Sequence, residues 1–264
     1  MIRLYLFLAV AIFSLFSAIP ADAHFGAIIP SEDIITEQTS RTIELDVKFM
    51  HPMECQYLEM EKPRRFGVAG MGKTDDLLDT LSSTQGAGPG QEGRFQSWKA
   101  SYTVKRPGDY VFFLEPAPYW EASENKFIVH YTKVCVNGFG LEQGWGKPLG
   151  LETEIVPLTR PYGLWTGNLF RGRVLVKGKP VPNAEVEVEY LNDNPAGQIK
   201  PPSQPFVTQT LRCDSNGVFV YAMPRAGWWG FAALSEAKWK LKKDGKPREV
   251  ELGAVYWVKT VDMN

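Results

Sequence analysis

The chain is poor in two residue types, with three Cys and three His among 264 residues. So few cysteines exclude a dense disulfide scaffold. It also lacks an excess of either charge: 29 Lys and Arg face 30 Asp and Glu, a formal net charge of −1. That balance implies no nucleic-acid surface and no anionic-membrane surface. Beyond the first segment, no apolar run approaches the roughly 20 residues that span a bilayer. There is no phosphate-loop GK[ST], no H-E-x-x-H and no G-x-S-x-G. Gly88, Gly90 and Gly93 match G-x-G-x-x-G in spacing, but no apolar strand leads in and no helix follows. No carboxylate pair or nucleophile–base set stands out, so the expectation is a protein that is not an enzyme.

The first segment reads as a leader. Arg3 precedes an apolar run from Leu4 to Phe16, followed by Ser17–Pro20 and then Ala21-Asp22-Ala23. This is the basic, apolar and A-x-A order of a secretory signal peptide over residues 1–23, and the apolar run is too short for a stable span. An uncleaved anchor is the alternative, and no Cys near the cut suggests a lipoprotein. The mature protein is therefore expected to be exported, periplasmic and without a transmembrane segment. Cleavage after Ala23 makes His24 the first residue. Its α-amino group and Nδ1 then form a ready chelate, with less ordering entropy to lose than two separate ligands.

The rest predicts an all-β protein of two β-sandwich domains. Arg41–Phe49 alternates, with Ile43, Leu45, Val47 and Phe49 on one face and Glu44, Asp46 and Lys48 on the other. Ser101–Lys105, Asp109–Glu115 and Lys126–Val136 are further strands, Asp75–Leu81 reads as a short helix, and Thr84–Arg94 as a loop. The first domain is placed at residues 24–150 and an interdomain crossing at 151–169. The second domain occupies 170–264, with strands at Phe170–Val176, Ala184–Tyr190, Phe206–Leu211, Val218–Tyr221, Trp228–Leu234 and Val250–Lys259. Asp244-Gly245 marks a hairpin. Short strands at regular spacing argue an immunoglobulin-like sandwich, and no strand–helix alternation points to a parallel α/β sheet. The stretches GKPVPNAEVEVEY (Gly178–Tyr190) and DSNGVFVYAMPRAGWWGF (Asp214–Phe231) resemble transthyretin-like or carboxypeptidase-regulatory modules.

Every His of the mature chain falls in the first domain. His51 continues the inward parity of Phe49 and precedes Pro52, which ends the strand. His130 lies within NKFIVHYTKVCV, where both parities are partly apolar, so its facing stays open. Alone, each also fits a hydrogen-bonded core histidine. Together, His24, His51 and His130 with one amine make a nitrogen donor set suited to Ni(II), Cu(II) or Zn(II). Glu54, Glu115 and Glu121 are candidates to orient the imidazoles. Cys55 and Cys135 are either soft metal ligands or, the more ordinary outcome in an oxidising compartment, a disulfide pair that leaves Cys213 unpaired. The basic run Lys238–Arg248 reads as a solvated hairpin edge. Tyr119, Trp120, Trp145, Trp165, Trp228 and Trp229 serve either core or a sugar surface.

On five stretches the chain resembles the NikK-type periplasmic component of energy-coupling-factor nickel/cobalt transporters, a domain-of-unknown-function family. They are HFGAIIPS, KFMHPMECQYLEMEKPRRFGV, PAPYWEASENKFIVHYTKV, ETEIVPLTRPYGLWTGNLFRGRVLVKGKPVPNAEVEVEY and AMPRAGWWGFAAL. The resemblance implies a bacterial periplasmic protein that captures Ni(2+), or Co(2+), and assists uptake by membrane transporter subunits. It places the ligands on His24, His51 and His130. Two other readings remain open: a Cu(2+)-binding His-brace protein, and a metal-free envelope sandwich that binds sugar or protein through its aromatics.

Overall fold

The computed structural model describes residues 23–194 and 197–263; the signal-peptide reading of residues 1–22 lies outside them. The regular structure of the described residues is strand apart from two three-residue 3₁₀ turns, Leu78–Thr80 and Gln204–Phe206. The all-β expectation holds. No helix among the described residues is long and apolar enough to cross a membrane.

Three sheets build two sandwich cores. An eleven-stranded sheet is covered on one face by a five-stranded sheet that contains Phe25–Pro30, Thr42–His51 and Phe95–Thr103. The four-stranded sheet with Thr153–Pro157, Leu169–Val176 and Val218–Ala222 packs against its other face. Strand Val250–Val261 runs between the two cores. Its Val255 and Trp257 point into the first, and its Ala254, Tyr256 and Val258 into the second. Alternation along one extended strand thus serves two apolar interiors.

This strand also ties the two halves of the sequence together. It pairs in parallel with Lys126–Gly138 from Phe127↔Val250 to Val134↔Trp257, and antiparallel with Gly227–Glu236. The Trp257 indole Nε1 donates to the carbonyl oxygen of Gly26 at 2.8 Å, and its ring meets Phe25 edge-on at 6.0 Å. The last long strand therefore fixes the first one.

Several local readings change. Asp75–Leu81 is a strand end (Lys73–Asp76) and one 3₁₀ turn, held where the Leu78 N–H donates to Asp76 Oδ1. Thr84–Arg94 opens inside strand Ser82–Gly86 before becoming loop. Strands Thr153–Pro157 and Leu164–Trp165 occupy the segment 151–169. The Asp244-Gly245 hairpin is present between Leu241–Lys243 and Lys246–Arg248, with both turn residues at positive φ.

The expected Cys55–Cys135 disulfide does not form: all three cysteines are free and buried. Cys55 belongs to the first core and Cys135 to the second, because Cys135 has the opposite parity to Val134 and Val136 on its strand. The central sheet stands between the two sulfurs. Burial pushes the Cys55 and Cys213 thiols up to about 11 and that of Cys135 up as well, which keeps all three uncharged.

Candidate metal centre

Strand register brings His24 beside His51. Phe25–Pro30 and Thr42–His51 pair antiparallel with Phe25 opposite Met50, so the next step outward sets His24 opposite His51. Their ring centroids are 4.6 Å apart. The inward parity expected for His51 holds, since Ile43, Leu45, Val47, Phe49 and His51 are all buried. His51 Nδ1 lies 3.0 Å from the carbonyl oxygen of Ala23. His24 stacks on Phe49 at 5.6 Å, and its Nε2 is 3.1 Å from Glu121 Oε2.

His130 enters from the central sheet. Its strand alternates between the cores, and its even-numbered neighbours Ile128, Val134 and Val136 face the first core. That same face packs His130 edge-on against Phe49, with centroids 5.9 Å apart. His130 is 1% exposed, and neither Nδ1 nor Nε2 has a hydrogen-bond partner. Glu251 Oε1 lies 3.6 Å from Nε2, too far for a hydrogen bond. A buried polar atom without a hydrogen-bond partner is costly.

Two glycines make room for this ring. Gly253 sits opposite His130 across the parallel pair, and a Cβ there would stand 2.3 Å from His130 Cδ2 and 2.6 Å from its Nε2. A Cβ on Gly26 would lie 2.3 Å from the Thr132 hydroxyl and 3.2 Å from the His130 carbonyl oxygen. Glycine within a strand marks such close approach.

The electrostatics favour neutral imidazole at His24. Burial, followed by the neighbouring His51 and His130, lowers its pKa to about 4 against the upward pull of Glu121. Burial also opposes the charge on Glu121, but hydrogen bonds from Ser123 and the nearby His24 outweigh it and hold the carboxyl low. For Glu251, burial is outweighed by the closeness of His130 and Lys126, and the carboxyl is held down at about 2. Neutral imidazoles bordered by carboxylates are the form in which histidine binds cations.

Of the acidic residues expected to orient the imidazoles, the structure places only Glu121 there. Glu54 is exposed, and Glu115 lies beside Arg65. Glu251 was not anticipated, because it reaches His130 only through the long-range parallel pairing. The glycine at 253 inside an otherwise bulky strand was the available signal. In this arrangement, among the described residues, no group of three or more His, Cys, Asp or Glu is gathered tightly enough to hold an ion. His51 Nδ1 is engaged by Ala23, and His24 Nε2 by Glu121.

The features define an all-β protein of two sandwich cores with three buried histidines at the rim of the first. The chain belongs to the family described as Domain of unknown function (DUF4198), which matches residues 21–237. Among curated proteins, none matches the sequence. Solved structures that align with the chain include the D0-D1 domain of Intimin, at 10% identity and TM-score 0.22, covering 89% of this chain and 99% of that one. A putative carbohydrate binding protein from Bacteroides uniformis is similar at 10% identity and TM-score 0.24, over 86% of this chain and 96% of that one. A bacterial ice-binding adhesin aligns at 7% identity and TM-score 0.26, over 90% of this chain and 66% of that one.

Proposed function

We propose that the protein is a periplasmic carrier that captures one divalent ion, Ni(2+) or alternatively Co(2+), and delivers it to membrane transporter subunits. His24, His51 and His130 are the ligands, and no catalytic step is assigned. The observation that carries this reading is His130, whose two buried ring nitrogens have no partner, set beside the close His24–His51 pair. The donor set suits the reading: borderline nitrogen ligands favour late first-row ions over Mg²⁺ or Ca²⁺.

Removal of the leader completes the site in this scheme. The Ala23 carbonyl that occupies His51 Nδ1 leaves with the leader, and the His24 nitrogen bonded to that carbonyl becomes a free amine. The released imidazole and the new amine then lie on the same side of the strand pair. In this scheme hand-over requires the His24 end of the strand to lift from Phe49 and His51, a local opening at the rim of the first core.

The test is metal uptake by protein that begins at His24, with Ni, Co, Cu and Zn in competition. About one ion per chain is expected, and His51→Ala and His130→Ala should each weaken binding about tenfold or more. Cu(II) should win in vitro on the Irving–Williams order, so the physiological assignment rests on metal content of protein recovered from the periplasm. Unchanged affinity in both alanine variants would refute the three-histidine site.

A further inference from the structure

A cavity of about 310 Å³ opens beside the first core, and His130 is part of its lining. Two aromatic pairs line it as well: Phe49 with Tyr119, ring centroids 4.9 Å apart, and Trp120 with Phe127, 5.0 Å apart. Ile128 adds an aliphatic wall. Aromatic walls with few polar groups are the usual lining of small-molecule sites. Roughly 150 Å³ is enough to hold benzene, so this cavity takes one substituted ring. His130 is buried, and neither of its ring nitrogens has a hydrogen-bond partner.

The charges around the cavity are engaged already or stand in solvent. Lys243, from the basic hairpin, lines it and holds its ammonium 5.6 Å from the centroid of the Trp120 ring. Arg248 approaches that ring at the same distance, so these two side chains dock the hairpin on the aromatic wall. Lys242 and Lys246 keep to the solvated edge. Glu59 and Glu61 line the cavity from exposed positions, and Glu59 Oε2 accepts from the Gln96 N–H. Glu251, 3.6 Å from His130 Nε2, is paired with Lys126 at 2.5 Å. A charged ligand would lose its hydration among aromatic walls and find no unpaired buried counter-charge, a cost that an uncharged one avoids.

We infer that this cavity binds a small uncharged phenol, its ring against the aromatic walls and its hydroxyl at His130. A neutral imidazole carries one donor and one acceptor nitrogen, and a phenolic hydroxyl both donates and accepts. Burial raises the worth of that hydrogen bond, because a hydrocarbon in the same place leaves the imidazole unpaired. Edge and face contacts with the wall rings favour an aromatic body over a saturated one of the same size. The phenol needs no bound ion, so this site and the metal reading fail separately, although His130 belongs to both.

The probe is p-cresol, titrated by calorimetry into chain beginning at His24 in excess EDTA. Toluene, 4-methylbenzoate and 4-methylcyclohexanol are comparisons of similar size that lack, in turn, the hydroxyl, the neutral charge and the aromatic ring. One p-cresol per chain is expected, bound at least tenfold more tightly than any of the three. Ala117→Trp, at a half-buried position of the lining, should fill the cavity and abolish p-cresol binding. His130→Phe keeps a ring but no nitrogen, and should bring p-cresol and toluene to within about twofold of each other. Should that variant fail to fold, the ratio of the two affinities in the unsubstituted chain still decides. No saturable p-cresol binding, unaltered binding in Ala117→Trp, or equal affinity for toluene overturns the inference. Equal or tighter binding of 4-methylbenzoate or 4-methylcyclohexanol overturns the phenol class. Nickel uptake by a chain that ignores p-cresol overturns this inference and leaves the metal reading standing, and p-cresol binding by a chain that takes up no nickel does the reverse.

Discussion

His51 Nδ1 and the carbonyl oxygen of Ala23 are 3.0 Å apart, so the imidazole is held by the residue just before the expected cut. Ala23 and His24 are 5% and 7% exposed, which places this contact inside the protein rather than on a loose end. Chain that begins at His24 should therefore bind nickel more tightly than chain that keeps Ala23. At least a tenfold difference is expected, about 1.4 kcal/mol. Competition titration of the two forms measures it, and equal affinities would remove the free amine from the ligand set.

Gly253 is a second point of control, because it is the only side-chain type that fits against His130. A Cβ there would meet Cδ2 at 2.3 Å, and the strand is pinned on both sides, by His130 across one pair and Leu234 across the other. Gly253→Ala is expected to destabilise the fold by about 1–3 kcal/mol, the usual range for overpacking. His130→Ala removes the ring that the new methyl strikes, so the double variant should recover most of that loss. Urea denaturation of the two single variants and the double variant reads the coupling. Additive losses would show that the close approach has no energetic weight.

The contrast between His51 and His130 shows what the sequence made visible. His51 was readable because Thr42–His51 has alternating exposed and buried residues over much of its length, and period-two alternation then assigns a face. His130 was not readable because Lys126–Gly138 is buried on both faces, with Ile128 in one core and Cys135 in another. The strand pattern also missed Phe25–Pro30, which abuts the leader and carries Pro30 at its end. Glu251 and Gly253 became part of the site only through parallel pairing over more than a hundred residues, and local pattern holds no record of that register. The two cysteines misled for the same reason. An oxidising compartment suggested a bridge, whereas Cys55 sits on a turn packed in the first core and alternation along its strand turns Cys135 into the second.

Trp257 links the far end of the chain to the metal-binding strand. Its indole N–H donates to the Gly26 carbonyl, two residues from His24, and its ring is fully buried. Trp257→Phe keeps an aromatic ring but leaves that buried carbonyl without this donor, a loss of about 1–3 kcal/mol. Because the lost bond anchors Phe25–Pro30, nickel affinity should fall along with stability. The discriminating measurement is nickel affinity well below the denaturation midpoint, where the variant is still folded. Affinity equal to that of the unsubstituted chain would mean the strand is positioned by its pairing with Thr42–His51 alone.

Glu189 gives the protein a stability that declines with rising pH. Burial, against hydrogen bonds from Thr208 and the Met53 N–H and with Glu187 and Glu54 nearby, pushes its carboxyl up to about 8. Glu187 on the same strand is pushed up to about 7, by burial first and then by Glu251 and Glu185. An unfolded glutamate titrates near about 4.3. Between that value and about 8 the folded chain holds a proton at Glu189 that the unfolded chain has lost. Stability therefore falls as pH rises through this window, by at most about 1.4 kcal/mol per pH unit per group. Glu189→Gln keeps the shape, with an oxygen to accept from Met53 and an amide to donate to Thr208. Denaturation at about pH 5 and about pH 9 should show the variant gaining on the parent chain at the higher value, while in both chains Glu187 lowers stability with rising pH and His24, held below its free value, raises it. An unchanged slope in Glu189→Gln would mean that Glu189 is ionised in the folded chain across the whole range, with its two hydrogen bonds sufficient to hold the buried charge.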